Sequence, residues 1–150
     1  MNKTKKPSSK ASRKPKGRRQ AVATVMAKMA ESNVPYLDVT IRERVTEDSI
    51  VQLFERVRGE ISRHQAKRVL VDLREGSISL TISDLHGLAK MVVATLAGVL
   101  DRLALVLCPQ DVLSEKFFET SVSNRGLPTF VTTDLEEAHY WITAKFRPTR

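Results

Sequence analysis

The stretch SISLTISDLHGLAK, Ser77 to Lys90, gathers the side chains best placed for regulatory chemistry. It follows the apolar run RVLVDLREG and leads into an apolar segment with helical spacing. Ser79, Thr81 and Ser83 offer hydroxyls, and Asp84, His86 and Gly87 follow at once. A phosphate on Thr81 or Ser83 would sit at a helix start, where free N–H groups favour it. It would also add about −2 charge to any docking surface there. The same residues have a plainer use. Thr81 or Ser83 can satisfy an orphan helix N–H, worth roughly 1 kcal/mol. Thr81 and Asp84 also have a capping-box spacing. His86 reads as a solvated first-turn histidine, with a ligand or switch role as the alternative. Ser79, Thr81, Ser83, Asp84, His86 and Gly87 thus form a candidate partner or ligand surface, with Thr81 and Ser83 as candidate phosphosites.

Other chemistry is hard to find. No glycine-rich phosphate loop occurs, neither GxGxxG nor GxxxxGKS. His64, His86 and His139 have no zinc-type spacing to another His or Cys, so no metal is expected. Cys108 ends an apolar run without an evident base and reads as a buried small hydrophobe. No G-x-S-x-G elbow is present. Glu136 and Glu137 fall in a helix's first turn, where the helix dipole accounts for them. The expectation is a protein that is not an enzyme and holds no cofactor.

These residues need elements to hold them. VPYLDVTIRERV alternates after Pro35 and predicts a half-buried strand. Thr46 then reads as the cap of a helix with Ile50, Leu53, Phe54, Val57 and Ile61 at helical spacing. RVLVDL predicts a central strand covered on both faces. A second helix is expected over about Ser83 to Leu100, with Leu85, Leu88, Val92, Leu96 and Val99 on one stripe. Arg102 to Pro109 is a third strand, Asp111 heads a third helix that Gly126 ends, and LPTFVTT is a fourth strand. Thr133 and Glu136 have capping-box spacing for a last helix with Leu135, Ala138, Trp141 and Ile142 buried. Strands alternating with helices predict an α/β domain with a mostly parallel sheet of about four strands. The loops beyond the strands' carboxyl ends, 74–83, 109–114 and 132–134, are where a site is expected.

Charge divides the 150-residue chain. Residues 1–20 carry nine of its 25 Lys and Arg and no acid, leaving 16 basic against 17 acidic groups in the other 130. The reading is a disordered basic tail over 1–32, a domain over 33–146 and a short tail over 147–150. Lys5, Lys6, Arg13, Lys14, Lys16, Arg18 and Arg19 are candidate polyanion contacts, for nucleic acid or an anionic surface. No aromatic residue is interleaved with them for base stacking. A solubilising extension, a transit peptide, or a later start at Met26 or Met29 are the alternatives. A single cysteine suits a reducing compartment, so a cytoplasmic location is expected. The longest apolar run, Met91 to Leu100, is too short to span a bilayer, so an integral membrane protein is not expected.

LDVTIRERVTEDSIVQLFERV, RVLVDLREG, RLALVLCPQD and FVTTDLEEAHYWI, in that order, resemble the SpoIIAA-like superfamily. This is the STAS domain group of anti-sigma factor antagonists and their STAS/SEC14-type relatives. The resemblance spans about Val34 to Ile142. It implies a regulatory domain that docks on a protein partner through the loop and helix start at 74–87. In antagonists of this group, a D-S-S-G-L type motif at the second helix carries a phosphorylated serine. Matching Gly87 and Leu88 to that motif places Asp84 on its aspartate, Leu85 on the phosphorylated serine and His86 on the second serine. The usual acceptor is therefore absent. The STAS/SEC14-type relatives suggest instead a carrier or sensor of a lipid-like or anionic small molecule. Gly87, Ala89, Ala94, Ala97 and Gly98 could leave room for it beside the second helix, or could simply pack that helix on the sheet.

Overall fold

The computed structural model describes residues 25–145. The elements run β1 (Val25–Ala30), β2 (Tyr36–Ile41), β3 (Arg44–Thr46), α1 (Ile50–His64), β4 (Arg68–Asp72), β5 (Ser77–Ser79) and α2 (Ile82–Leu96). Then come β6 (Arg102–Val106), α3 (Val112–Ser123), β7 (Thr129–Thr132) and α4 (Leu135–Thr143). The main sheet has the order β1-β2-β4-β6-β7, with β1 antiparallel and the rest parallel. β3 and β5 form a separate parallel ribbon.

The expected alternation of strands and helices is present, with one strand more in the main sheet. Val25–Ala30 lies within the stretch read as tail, yet it is the antiparallel edge strand, with Val25 opposite Ile41 and Ala30 opposite Tyr36. VMAKMA is poor in β-formers, and pairing with β2 overrides that weak local preference. The domain boundary at 33 therefore moves back to Val25 at the latest. Residues 1–24 and 146–150, including the basic contact candidates, lie outside the described residues. The single strand expected over 34–45 is broken at Arg42 and Glu43 into β2 and β3.

Handedness decides which face the helices take. The strand order advances one way from β2 to β7, so right-handed crossovers set α1, α2 and α3 on one face. Their core includes Leu37, Val39, Val69, Val71, Leu103 and Val131. Among the described residues, α4 alone covers the other face, over Tyr36, Leu70, Ala104 and Val106. Arg68 Nη1 donates to the carbonyls of Ile142 (2.8 Å) and Ala144 (2.7 Å), and Arg102 donates to that of Trp141. Two cations thus hold the negative end of α4. Trp141 and Leu135, expected to be buried, are half-buried and pack against this core from its edge. Trp141 stacks on Phe130 at 5.4 Å, and the Arg102 guanidinium lies 5.1 Å from its ring.

Two helix starts and one helix end differ from expectation. Thr46 pairs with Ser79 in the ribbon, so Ser49 becomes the N-cap of α1. Asp134, not Thr133, caps α4, accepting from the N–H groups of Glu136 (2.9 Å) and Glu137 (3.3 Å). α2 runs over Ile82–Leu96, shorter at its end than expected. Gly126 follows α3 with φ 111°, a left-handed conformation that favours glycine.

Candidate functional site

The segment from Arg74 to Gly87 is built at the carboxyl end of β4. Asp72 fixes its base. Arg74 donates to it twice from the guanidinium, at 3.0 and 2.9 Å, and once from the backbone, at 3.0 Å. Burial pushes the Asp72 carboxyl up, but these hydrogen bonds and the Arg74 charge outweigh it and hold the group below its ordinary value. Cys108 is half-buried rather than core. Its Sγ donates to the Arg74 carbonyl at 3.1 Å, tying the end of β6 to the same base. Arg42 bridges to Glu75 at 2.6 Å on the surface. Gly76 crosses the backbone of β2's exit so closely that a Cβ there would collide with the Glu43 carbonyl oxygen.

From this base the chain pairs as β5 with β3 and then starts α2. Thr81 and Asp84 close a capping box. Asp84 N–H donates to Thr81 Oγ1, and Thr81 N–H to the Asp84 carboxylate, both at 3.0 Å. Ser79, Thr81, Ser83, His86 and Gly87 are exposed and Asp84 is half-buried, so the structure brings these residues to one surface. His86 lies 6.4 Å from the Phe117 ring, between α2 and α3.

Beneath that surface lies a feature that the sequence did not display. α1 and α2 stand apart over the sheet, and a cavity of about 120 Å³ lies between them. Every lining side chain is apolar. Val71, Leu103 and Leu105 form the floor, Phe54 and Val57 of α1 face Leu88 and Val92 of α2, and Ile50, Ile78 and Leu80 form a half-buried rim. Leu105 lies on a central strand yet is only half-buried, because the cavity lies above it. The void is comparable to an engineered cavity of roughly 150 Å³ lined by Leu, Ile and Phe, which stays dry and binds benzene. The small residues of α2 do not make this room. Ala89 is fully buried, while Gly87, Ala94 and Gly98 are exposed. Large apolar side chains of both helices line it instead. Leu85 is 3% exposed and lines this cavity, so its side chain faces inward.

A second polar group lies on the opposite face. Tyr36 Oη and His139 Nδ1 share a hydrogen bond of 2.5 Å. Burial pushes the Asp38 carboxyl up, the Asp72 charge adds to this, and His139 and Lys28 oppose it. Burial, then the Asp38 charge, also raises the Tyr36 hydroxyl. Tyr36 and His139 are 103 residues apart, so no local pattern could have joined them.

The parallel sheet flanked on one face by three helices and on the other by one defines a SpoIIAA-like α/β domain. No family model and no curated protein matches the sequence. Among solved structures, the chain is similar to an uncharacterised protein of the DUF3478 family with a SpoIIAA-like fold from Shewanella loihica. The identity is 15%, the TM-score is 0.53, and the match covers 79% of this chain and 93% of the other. That likeness establishes the fold. Among the described residues, no helix is long and apolar enough to cross a membrane.

Proposed function

We propose that this protein is a non-enzymatic STAS-like binding module that takes a small apolar group, such as an aromatic ring or the end of one acyl chain, between α1 and α2. The Arg74-to-Gly87 segment then serves as the surface that a protein partner reads. The observation that carries this reading is the wholly apolar cavity over Leu105. Ile78, Leu80 and Leu85 link the two roles, since each belongs to the contact segment and lines the cavity. An apolar pocket without convergent polar groups suits binding better than bond chemistry. A phosphate switch, if one operates, acts at exposed Thr81 or Ser83, because Leu85 has no acceptor and faces inward.

The test is titration with a fluorescent fatty acid against the wild type and Leu105→Phe, which fills the floor of the cavity. Saturable uptake that falls by about tenfold or more in the filled variant supports the reading. Equal uptake by both proteins, or none by either, overturns it.

A further inference from the structure

We propose that two copies of this chain join along β1, edge to edge, in a two-fold dimer whose main sheets continue into one another. The two edges of the main sheet are finished differently. At the β7 edge, side chains of α3 close the backbone. Ser123 Oγ accepts from the Thr129 N–H at 3.1 Å and donates to the Thr129 carbonyl at 3.2 Å. Lys116 Nζ donates to the Val131 carbonyl at 3.3 Å. Thr129 and Val131 are buried. The β1 edge is open. Every second residue of β1 turns its N–H and C=O away from β2. Among the described residues, no side chain is hydrogen-bonded to that backbone. Val25, Ala27 and Met29, which pack toward α1, are only half-buried. Such a row of open backbone groups is a template for another strand.

The side chains of β1 select the strand that fits. A two-fold axis normal to the sheet pairs two β1 strands antiparallel, and directly opposed residues then share a face. Two registers use nearly all of Val25–Ala30, one with Ala27 opposite its own copy and one with Lys28 opposite its own copy. The second sets like charges directly across from each other, which is destabilising. A lysine on an edge strand commonly guards against pairing. Here it rejects that register alone. With Ala27 on the axis, Val25 of each copy opposes Met29 of the other, so each half-buried apolar row completes the burial of its twin. On the opposite face Met26, 47% exposed, opposes Lys28 of the other copy, while Lys28 stays beside Asp38 of its own chain. The lysine stem covers the methionine. The same axis sets the two α1 helices antiparallel. Glu47 and Asp48 precede α1 and Arg63 and His64 end it, so unlike ends come together. A foreign strand would also satisfy the backbone, but the self-complementary row favours a second copy. No residue of β1 lines the cavity or belongs to the Arg74-to-Gly87 segment, so the dimer stands apart from both roles proposed above.

The test is sedimentation equilibrium of the full chain at concentrations up to roughly 100 μM. A reversible monomer–dimer equilibrium is expected. Met26→Lys sets a lysine against Lys28 of the other copy, twice per dimer, and should weaken association by about tenfold. Met26→Glu sets a carboxylate there and should tighten it by several-fold. Arg42 Nη1, 3.5 Å from the Met26 sulfur, meets the new charge in monomer and dimer alike. Because Met26 is exposed, both dilute variants should keep the circular dichroism spectrum of the wild type. A wild type that stays monomeric to the highest concentration would overturn the β1 seam. So would a dimer that the two substitutions leave unchanged or shift in the same direction.

Discussion

Leu105 and Leu70 lie on neighbouring central strands and point to opposite faces of the sheet. Three helices cover the face of Leu105, yet that side chain keeps contact with open space. A single helix covers the face of Leu70, which is fully buried. Closure therefore follows from how near a helix can approach, not from how many helices there are. α4 comes close because Ala104 and Ala138, both 0% exposed, leave no bulk between helix and strand. α1 and α2 meet the sheet through Leu53, Phe54, Leu85 and Val92 and stand off from each other. The thin face is sealed and turns polar beyond α4, at Lys28, Asp38 and Asp72. The thick face is apolar throughout and hollow.

Truncation should read this contrast directly. Leu70→Ala removes a fully packed side chain and should cost about 3–4 kcal/mol. Leu105→Ala removes one that already borders a void and should cost about 1–2 kcal/mol. Urea denaturation of both variants checks the order. Equal losses would mean that the cavity closes in solution and that the contrast between faces is not real.

Gly76 tests the frame that holds the contact segment. Its Cβ would meet a backbone oxygen, so Gly76→Ala should cost about 2–3 kcal/mol through displacement of the Glu43 or Ile41 backbone. A loss of under about 0.5 kcal/mol would show that the Arg74 loop is loosely held.

The carboxylates of the polar region should respond with opposite signs. Asp72 has a folded value below its ordinary 3.8. Its contribution is complete well above pH 3.8 and is lost as pH falls through the lower folded value. Asp72→Asn should cost about 1 kcal/mol at neutral pH, since Arg74 is partly exposed and screened. It should also flatten the acid limb of the stability curve. Asp38 has a raised folded value, so its contribution is present at low pH and lost as pH rises through that value. Asp38→Asn should therefore raise the melting temperature at neutral pH and leave it unchanged in acid. Thermal melts across the acid range distinguish the two, and parallel shifts would contradict the assigned environments.

How far the sequence could be read follows the range of each interaction. The Thr81–Asp84 box was legible because both partners lie within one helical turn. The β/α order was legible because periodicity switches cleanly between RVLVDL and the segment that begins at Ile82. β1 was not, because VMAKMA becomes a strand only when β2 is beside it. The three-residue strands β3 and β5 exist through each other, and their pairing is what displaced the expected Thr46 cap. The cavity was least legible of all. It depends on the distance between α1 and α2, which no stripe of either helix encodes alone. For the same reason Cys108 and Trp141, assigned to the core by local apolarity, came out half-buried at the ends of their elements.

The smallest expected effect bears most directly on function. Gly87 lies inside α2 and is exposed, and a Cβ there would meet nothing within 4 Å. No feature of the fold requires a glycine at that point, and helix propensity argues against one. Gly87→Ala should therefore stabilise the domain by about 0.5–1 kcal/mol, measurable as a rise in melting temperature. It should not change fatty-acid uptake, since Gly87 does not line the cavity. If the exposed turn from Thr81 to Gly87 is where a partner's backbone comes close, the same methyl that strengthens the helix should weaken that complex. A stabilised variant that binds its partner as well as the wild type would move the contact surface away from Gly87. A stabilised variant with impaired binding would show that the glycine is kept at a cost to the helix, for the sake of what docks upon it.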